Sequence, residues 1–541
     1  MKNKLLPIAL IASAMLLSGC DLSSYLGKAN SNSSTSSSEN SDSTSEGSSN
    51  TGTGGWHPTG GTGGTGNTGG TNTSQNNDEP VYPEEVFDNA GKGSGWTSNS
   101  GNAVTSPKAK ADYTILIYLC GSNLESYDSQ YQEWGSMASK NLLEMMDVGT
   151  PDNVNIVIET GGAKSNSRKS GWNNTLLSSY QSGLSISDSK LGRWHIENNI
   201  LVKDSEITYA SMGSKSTFQS FIEYGLEYFP AEKTGVIMWD HGGAMMGCCQ
   251  DEIKNDILDP FELDSALADA FSAKSVSKLE WIGYDCCLMD VSDIASLNSK
   301  YFNYMVAAQE SEPGGGWDYN CWLDNLVADT NISTESLLSE ICDTFVTKSG
   351  DYYNDVAEYY IAYGEYIGGY QGSQYIQEGQ EYLGYNDSTL AVLDLSKMSA
   401  FDSAWETIGS TMKSKINSSD KFSTFQSNVL EQSLRFGGDQ DYFGDYAYEY
   451  DVFNASDVIK GLKNKYSIDT TSISSLLDQV VVHNAYGSSY TNSTGLPCGL
   501  CFYIASETSA SSMGVSASDA VYSNWYDIYS QYGGSSSGYY Y

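Results

Sequence analysis

Two short stretches carry residue types that could run nucleophilic chemistry. "TGVIMWDHGGA" (Thr234 to Ala244) ends in Trp239-Asp240-His241-Gly242-Gly243, and the apolar run of "LEWIGYDCCLMD" (Leu279 to Asp290) stops at Asp285-Cys286-Cys287. An imidazole beside a thiol can take its proton, and the thiolate then attacks a carbonyl carbon. Gly242 and Gly243 let a substrate backbone come close, and the N–H groups of Gly242 and Cys287 could form an oxyanion hole. The chain has only four histidines. His57 falls in a Gly-rich tract, His195 alternates with apolar residues as a paired strand residue would, and His483 sits in an apolar, helix-like run. Elimination leaves His241 as the base.

For these residues to meet, both stretches must be neighbouring parallel strands whose C-terminal ends open into one site. The surrounding pattern supplies such a sheet. Strands are expected at Tyr113 to Leu119, Asn155 to Glu159, before His241, before Cys287 and at Tyr304 to Ala308, with a hairpin around "GRWHIENNILV". Helical spacing lies between them: the stretch to about Met146, the run holding Phe218, Phe221, Ile222 and Leu226, and "LDPFELDSALADAFSA" with Pro260 in its first turn. Strands alternating with helices predict an α/β fold with a mostly parallel central sheet covered on both faces. Beyond about Thr330 the sequence turns helix-rich, with helices at Thr334 to Thr347, Phe401 to Ile416 and Phe422 to Leu434, and strands at Thr389 to Ser396 and "GLPCGLCFYIAS".

The ends are not core material. Residues 1–20 combine a basic start (Lys2, Lys4) with an apolar stretch too short to span a bilayer, which reads as an export signal. Its ending, Leu17-Ser18-Gly19-Cys20, resembles a bacterial lipobox, so Cys20 is the expected lipidated first residue of a membrane-anchored surface protein. Residues 21–110, rich in Ser, Thr, Gly and Asn, form a flexible tether with an r.m.s. span of roughly 50 Å. The folded parts are then 111–330, carrying the site, and a C-terminal α+β region at 331–530 packed upon it, with a disordered tail at 531–541. No later segment is apolar for long enough to span a membrane, so the remainder is expected to be soluble and outside the cell.

A net charge of −39, from 28 Lys+Arg against 67 Asp+Glu, excludes a general nucleic-acid binder and leaves the N-terminal lipid as the sole membrane contact. An acidic field attracts cationic substrates, although the same charge also serves solubility. After Cys20 an odd number of cysteines remains, two pairs of them vicinal, so at least one thiol is expected to be free. Cys498-x-x-Cys501 lacks a second pair and reads as core, not as a zinc site. The acidic stretch "FGGDQDYFGDYAYEYDVF" offers Asp439, Asp441, Asp445 and Asp451 as weak calcium candidates without the spacing of a known loop. No cofactor is required by the sequence, a monomer is expected, and calcium is left open.

"WDHGG", then "GYDCCLM", then "AAQESEPGGGWDY" resembles the clostripain family of cysteine peptidases, in the clan of caspases and gingipains. That resemblance implies a caspase-like α/β/α sandwich, Cys287 as nucleophile with Cys286 at a position the family fills with Ala, and hydrolysis after Arg or Lys. It also implies Asp285 at the base of the first specificity pocket, where a buried carboxylate facing a guanidinium rejects apolar side chains. Glu310, Glu312 and Trp317 are weaker candidates for the same pocket. Relatives are typically precursors cut at a basic residue after the catalytic His, which points to Lys254. The turn "CGSNLES" departs from the family, many members of which carry Asp where Ser122 and Asn123 stand. The competing expectation is a catalytically inactive, surface-tethered binding lipoprotein that uses its 39 Tyr residues for contacts. A glycosidase has less support, since no carboxylate pair stands out.

Overall fold

The computed structural model describes residues 104, 106–126, 135–383, 386–440, 446–492, 495–504 and 520–532. The leader with Cys20, the tether with His57, the C-terminal tail, Asp441 and Asp445 lie outside them. In chain order the first half contains β1 (Ala111–Cys120), α1 (Ser122–Glu125), α2 (Met137–Val148), β2 (Val154–Gly161), α3 (Asn174–Tyr180), β3 (Lys190–Glu197), β4 (Ile200–Thr208) and α4 (Lys215–Tyr228). Next come β5 (Ala231–Trp239), β6 (Cys248–Asp251), β7 (Asp256–Leu258), α5 (Pro260–Lys274), β8 (Leu279–Asp285), α6 (Ser292–Asn298), β9 (Phe302–Ala307) and α7 (Tyr319–Ala328). The C-terminal part adds α8 (Thr334–Ile367), α9 (Gly369–Tyr382), β10 (Thr389–Asp394), α10 (Met398–Lys415), β11 (Arg435–Gln440), β12 (Tyr446–Asn454), β13 (Val481–Tyr486) and β14 (Cys501–Tyr503).

One nine-stranded sheet, ordered β13-β10-β9-β8-β5-β1-β2-β3-β4, organises the molecule. Its centre, β9-β8-β5-β1-β2, is parallel, and the outer strands on both sides are antiparallel. The reason lies in β1, where every residue except Asp112 is buried. A strand that is apolar on both faces must be covered on both. Leu116, Tyr118 and Cys120 point into a cluster with Phe218, Ile222 and Leu267, while Tyr113, Ile115 and Ile117 point into another with Leu142, Trp322 and Phe345. The result is an α/β sandwich. Asp259 starts α5 by accepting from the N–H groups of Phe261 and Glu262 with Pro260 behind it, a cap that contributes about 1 kcal/mol.

Three sequence expectations change. His483 lies in β13, not in a helix, and its Nε2 bonds Asp343 at 2.8 Å; the Val-rich start of this strand pairs with β10. The helix expected at Thr334 to Thr347 continues to Ile367 and returns as α9. The helix expected at Phe422 to Leu434 spans Ser419–Asn428. The sheet also crosses residue 330, since β10 and β13 extend it. His195, in β3, binds Asp204 at 2.9 Å inside the protein, as a structural residue would. Asp439 lies in β11 opposite Ala447, and Asp451 in β12. Among the described residues no helix is long and apolar enough to cross a membrane, and no cluster of three metal-ligating side chains occurs.

Candidate active site

The register of the two central strands decides which residues share the C-terminal edge. β5 and β8 pair Trp239 with Asp285, and the N–H of Asp240 donates to the carbonyl of Asp285 at 3.3 Å. His241 and Cys287 therefore each stand two residues past a paired position, on adjoining strands. The two backbones touch: a Cβ on Gly242 would lie 2.3 Å from the Cys287 carbonyl oxygen and 2.9 Å from Cys286 Cβ. Gly242 thus makes room for the nucleophile's own chain, a use the sequence reading had given to substrate.

His241 is held by the loop after β1. Its Nε2 is 2.6 Å from Asn123 Oδ1, and an amide oxygen can only accept, so Nε2 carries the proton and Nδ1 keeps its lone pair. Burial depresses the imidazole below its ordinary 6.5, with the Glu252 charge opposing, which keeps the ring neutral near pH 7. The loop is itself braced. The Ser122 hydroxyl donates to Asp240 Oδ1. Buried Glu125 accepts from the Ser139 N–H at 2.8 Å, the Ser139 hydroxyl at 2.6 Å and the Asn173 N–H at 2.8 Å. Asn123 is a contact the sequence did not reveal, lying 118 residues from its partner.

Removing that acceptor tests the arrangement. Asn123→Ala is expected to lower kcat about tenfold to a hundredfold with KM nearly unchanged. Because the bond to Asn123 favours the imidazolium, its loss should also move the acidic limb of the pH profile to lower pH, and Asn123→Asp should move it to higher pH. Unaltered profiles in both variants would remove Asn123 from the site.

Cys287 is a free thiol, as are Cys248, Cys249 and Cys286. Its Sγ accepts from the Glu312 N–H at 3.2 Å, and no hydrogen bond joins it to His241 among the described residues. Burial first, then the Glu312 charge, push the thiol up to about 12, so the sulfur is protonated in this state.

The floor beside it is acidic. Asp285 Oδ2 accepts from the Trp317 N–H at 3.2 Å and the Tyr319 hydroxyl at 2.9 Å. Glycines allow the Trp317 loop to fold down: a Cβ on Gly283 would meet the Trp317 ring at 2.6 Å, and Gly316, at φ +62°, lies against the Asp285 carboxylate. Burial raises Asp285 and Glu312 alike, and the Asp285 charge raises Glu312 further. The second carboxyl near Asp285 is therefore Glu312. Glu310 turns elsewhere, its Oε1 accepting from the Ser311 and Gly437 N–H groups, both at 2.8 Å, so it faces the β11 backbone instead of Asp285. Lys348 braces the Trp317 loop, pairing with Glu144 at 2.8 Å and donating to the Trp317 carbonyl at 2.9 Å.

Lys254 lies in the β6–β7 turn, exposed, with its N–H bonded to Asp251 Oδ1 at 3.0 Å and its ammonium 5.7 Å from the Tyr209 ring centroid. Cys501 is buried and its sulfur accepts from Gln309 at 3.0 Å, consistent with a core position.

Chemically, a neutral imidazole with a free Nδ1 and a thiol on the adjoining strand end can support acyl transfer, with the Asp285 and Glu312 carboxyls buried beside them. Among solved structures, the chain is similar to an inactive zymogen C11 protease from Parabacteroides distasonis, at 16% identity, covering 78% of this chain and 99% of that one with a TM-score of 0.47. It is also similar to a secreted C11 cysteine protease from Bacteroides thetaiotaomicron solved with an irreversible peptide inhibitor, at 16% identity, covering 77% and 99% with a TM-score of 0.46. No curated protein sequence matches the chain significantly. The profile of the clostripain family, Peptidase_C11, matches residues 117–537, well over half of the chain. The chain therefore belongs to the clostripain family of cysteine peptidases.

Proposed function

We propose that this protein is a surface-anchored endopeptidase that cleaves after Arg or Lys through His241 and Cys287, made as a precursor that processes itself. The observation that carries the reading is the shared strand edge, where the base and the nucleophile leave β5 and β8 at equal height beside Asp285. In the first step His241 Nδ1 takes the thiol proton, the Cys287 sulfur bonds the scissile carbonyl carbon, and the imidazolium returns the proton to the leaving amine. Water then hydrolyses the thioester by the same base. The Gly242 and Cys287 N–H groups are the candidates to hold the oxyanion. A bound guanidinium or ammonium beside Asp285 and Glu312 would offset the Glu312 charge that, after burial, raises the thiol, so substrate entry favours thiolate formation. Fluorogenic peptides ending in Arg, Lys, Ala or Glu test the reading: release from the basic pair alone supports it, and equal release from all four refutes it.

Self-processing is assigned to Lys254. A peptidase reads an extended chain, so the β6–β7 turn would have to open before cleavage. Lys254→Ala should remain one band on a denaturing gel under conditions where the wild type gives two, and Lys254→Arg should still be cut. An Ala variant cut at the same position would place the processing site elsewhere.

A further inference from the structure

The sheet's last crossover before β10 is a helical hairpin that none of the preceding chemistry uses. Residues 349–388 contain ten Tyr and seven Asp or Glu, and no Lys or Arg. The second half of α8 and all of α9 run antiparallel in backbone contact. A Cβ on Gly364 would lie 2.5 Å from the Gly372 carbonyl oxygen, and one on Gly379 would lie 2.8 Å from that of Ala357. The Gly368-Gly369 tip has positive φ at both residues and nothing within 4 Å of either added Cβ. This shape exposes aromatic rings that a core would bury. Tyr366 is 71% exposed and Tyr370 80%, while Tyr359 and Tyr363 stack at 6.2 Å and are also exposed.

The exposed face of α8 combines these rings with charge. Asp351, Asp355, Tyr359 and Tyr363 recur every fourth residue and so lie along one row, with Glu358 and Tyr366 beside it. No ion pair reaches Asp351, Asp355 or Glu358 among the described residues. Burial first, and then the Glu358 and Asp351 charges, hold Asp355 up to about 6, which marks a negative field without a local cation. The hairpin also starts at the candidate specificity pocket. A Cβ on Gly315 would sit 4.0 Å from both Lys348 Cε and Tyr352 Cδ2, and Lys348 donates to the Trp317 carbonyl. Where the hairpin returns, Asn386 Nδ2 would be 2.8 Å from a Cβ on Gly350.

We propose that this face is an exosite for a Lys- or Arg-rich segment of the polypeptide substrate, docked by carboxylates near the pocket and by cation–π contacts with Tyr359, Tyr363, Tyr366 and Tyr370 toward the tip. The occupant follows from charge complementarity: electron-rich rings and unpaired carboxylates share one partner, an extended cationic chain. The proposal rests on the reading that the pocket beside it accepts a basic residue. From Lys348 to Ile367 the helix rises about 29 Å, which an extended chain covers in about nine residues. A substrate must therefore extend about nine residues beyond the pocket to use the tip.

The test measures binding without turnover, by fluorescence anisotropy on full-length Cys287→Ala protein. The probe is a labelled peptide about 20 residues long with Lys clusters, compared with a version carrying Glu in their place and with a version about five residues long. Tyr366→Ser with Tyr370→Ser should weaken binding of the long Lys peptide about fivefold to tenfold, and the corresponding Phe pair should restore it, because the ring and not the hydroxyl holds the cation. Raising salt from about 0.05 to about 0.5 M should weaken it as well. Both tyrosines are exposed enough for the Ser pair to fold. Equal binding of the Lys and Glu peptides, or no difference between the Ser pair and the parent, overturns the proposal. So does salt-independent binding of a soluble cell-wall oligosaccharide that is lost in the Ser pair while Lys-peptide binding persists. Failure of the peptidase reading would look different: short Arg and Lys peptides would go uncut by wild type while the anisotropy result stood.

Discussion

Cys287→Ala is expected to reduce kcat/KM for a fluorogenic Arg peptide by about ten-thousandfold or more, to the level of the uncatalysed reaction plus binding. The size follows from what is removed. In the proposed mechanism the Cys287 sulfur is the atom that bonds the carbonyl carbon. Cys286 is buried, and its thiol donates to the Met238 carbonyl at 3.3 Å, on the inner side of the strand end. Cys286→Ala should therefore keep activity within about threefold, a control that separates loss of a nucleophile from loss of a packed thiol. His241→Ala should approach the Cys287→Ala loss without adding to it in the double variant, since base and nucleophile act as one unit. Activity of the wild type should rise with pH through the depressed imidazole pKa, below 6.5, because the neutral ring is the active form. Residual Arg-peptide hydrolysis in Cys287→Ala at more than a few per cent of wild type would sink the assignment of the nucleophile.

How much of this was legible depended on whether a residue's role is set by its own neighbours in sequence. The central strands were readable because burial on both faces leaves unbroken apolar runs, as in β1, and their ends were readable because polar residues stop those runs abruptly at 240–241 and 285–287. Roles fixed by loop geometry were not readable. Glu310 and Glu312 sit two residues apart in the same acidic loop, and only the backbone path decides that Glu312 turns to Asp285 while Glu310 meets Gly437. Asn123 looked like a neutral replacement for an acid, and its value as an acceptor exists only because β1 lies beside β5. The α8–α9 hairpin escaped for another reason. Its helices pack through glycines and tyrosines, so it lacks the apolar stripe by which a helix normally announces itself, and its glycines read as breakers.

Asp285→Asn is expected to lower kcat/KM for Arg and Lys peptides about a hundredfold to a thousandfold, and to leave a peptide with an uncharged residue of similar length at the cleavage point unchanged or slightly improved. Asparagine is the informative choice. Its Oδ1 can still accept from the Trp317 N–H or the Tyr319 hydroxyl, so the glycine-allowed fold of the 314–317 loop has a partner and only the charge is lost. The loss should stop short of abolition because Glu312 lies beside Asp285. Its proton is held on partly by the Asp285 charge, so removing that charge lets Glu312 ionise more easily and carry part of the contact with the cation. Asp285→Asn with Glu312→Gln should then fall below either single variant by more than the product of the two effects, the coupling expected of groups that substitute for each other. Acidity gives an independent reading of the same pair. Burial raises Asp285 above its ordinary value, so as pH falls it protonates early, the pair loses its charge, and KM for Arg peptides should climb in a pH range where exposed carboxylates are still ionised. An Asp285→Asn enzyme with undiminished preference for Arg over its neutral analogue would mean that the selecting charge is not at Asp285.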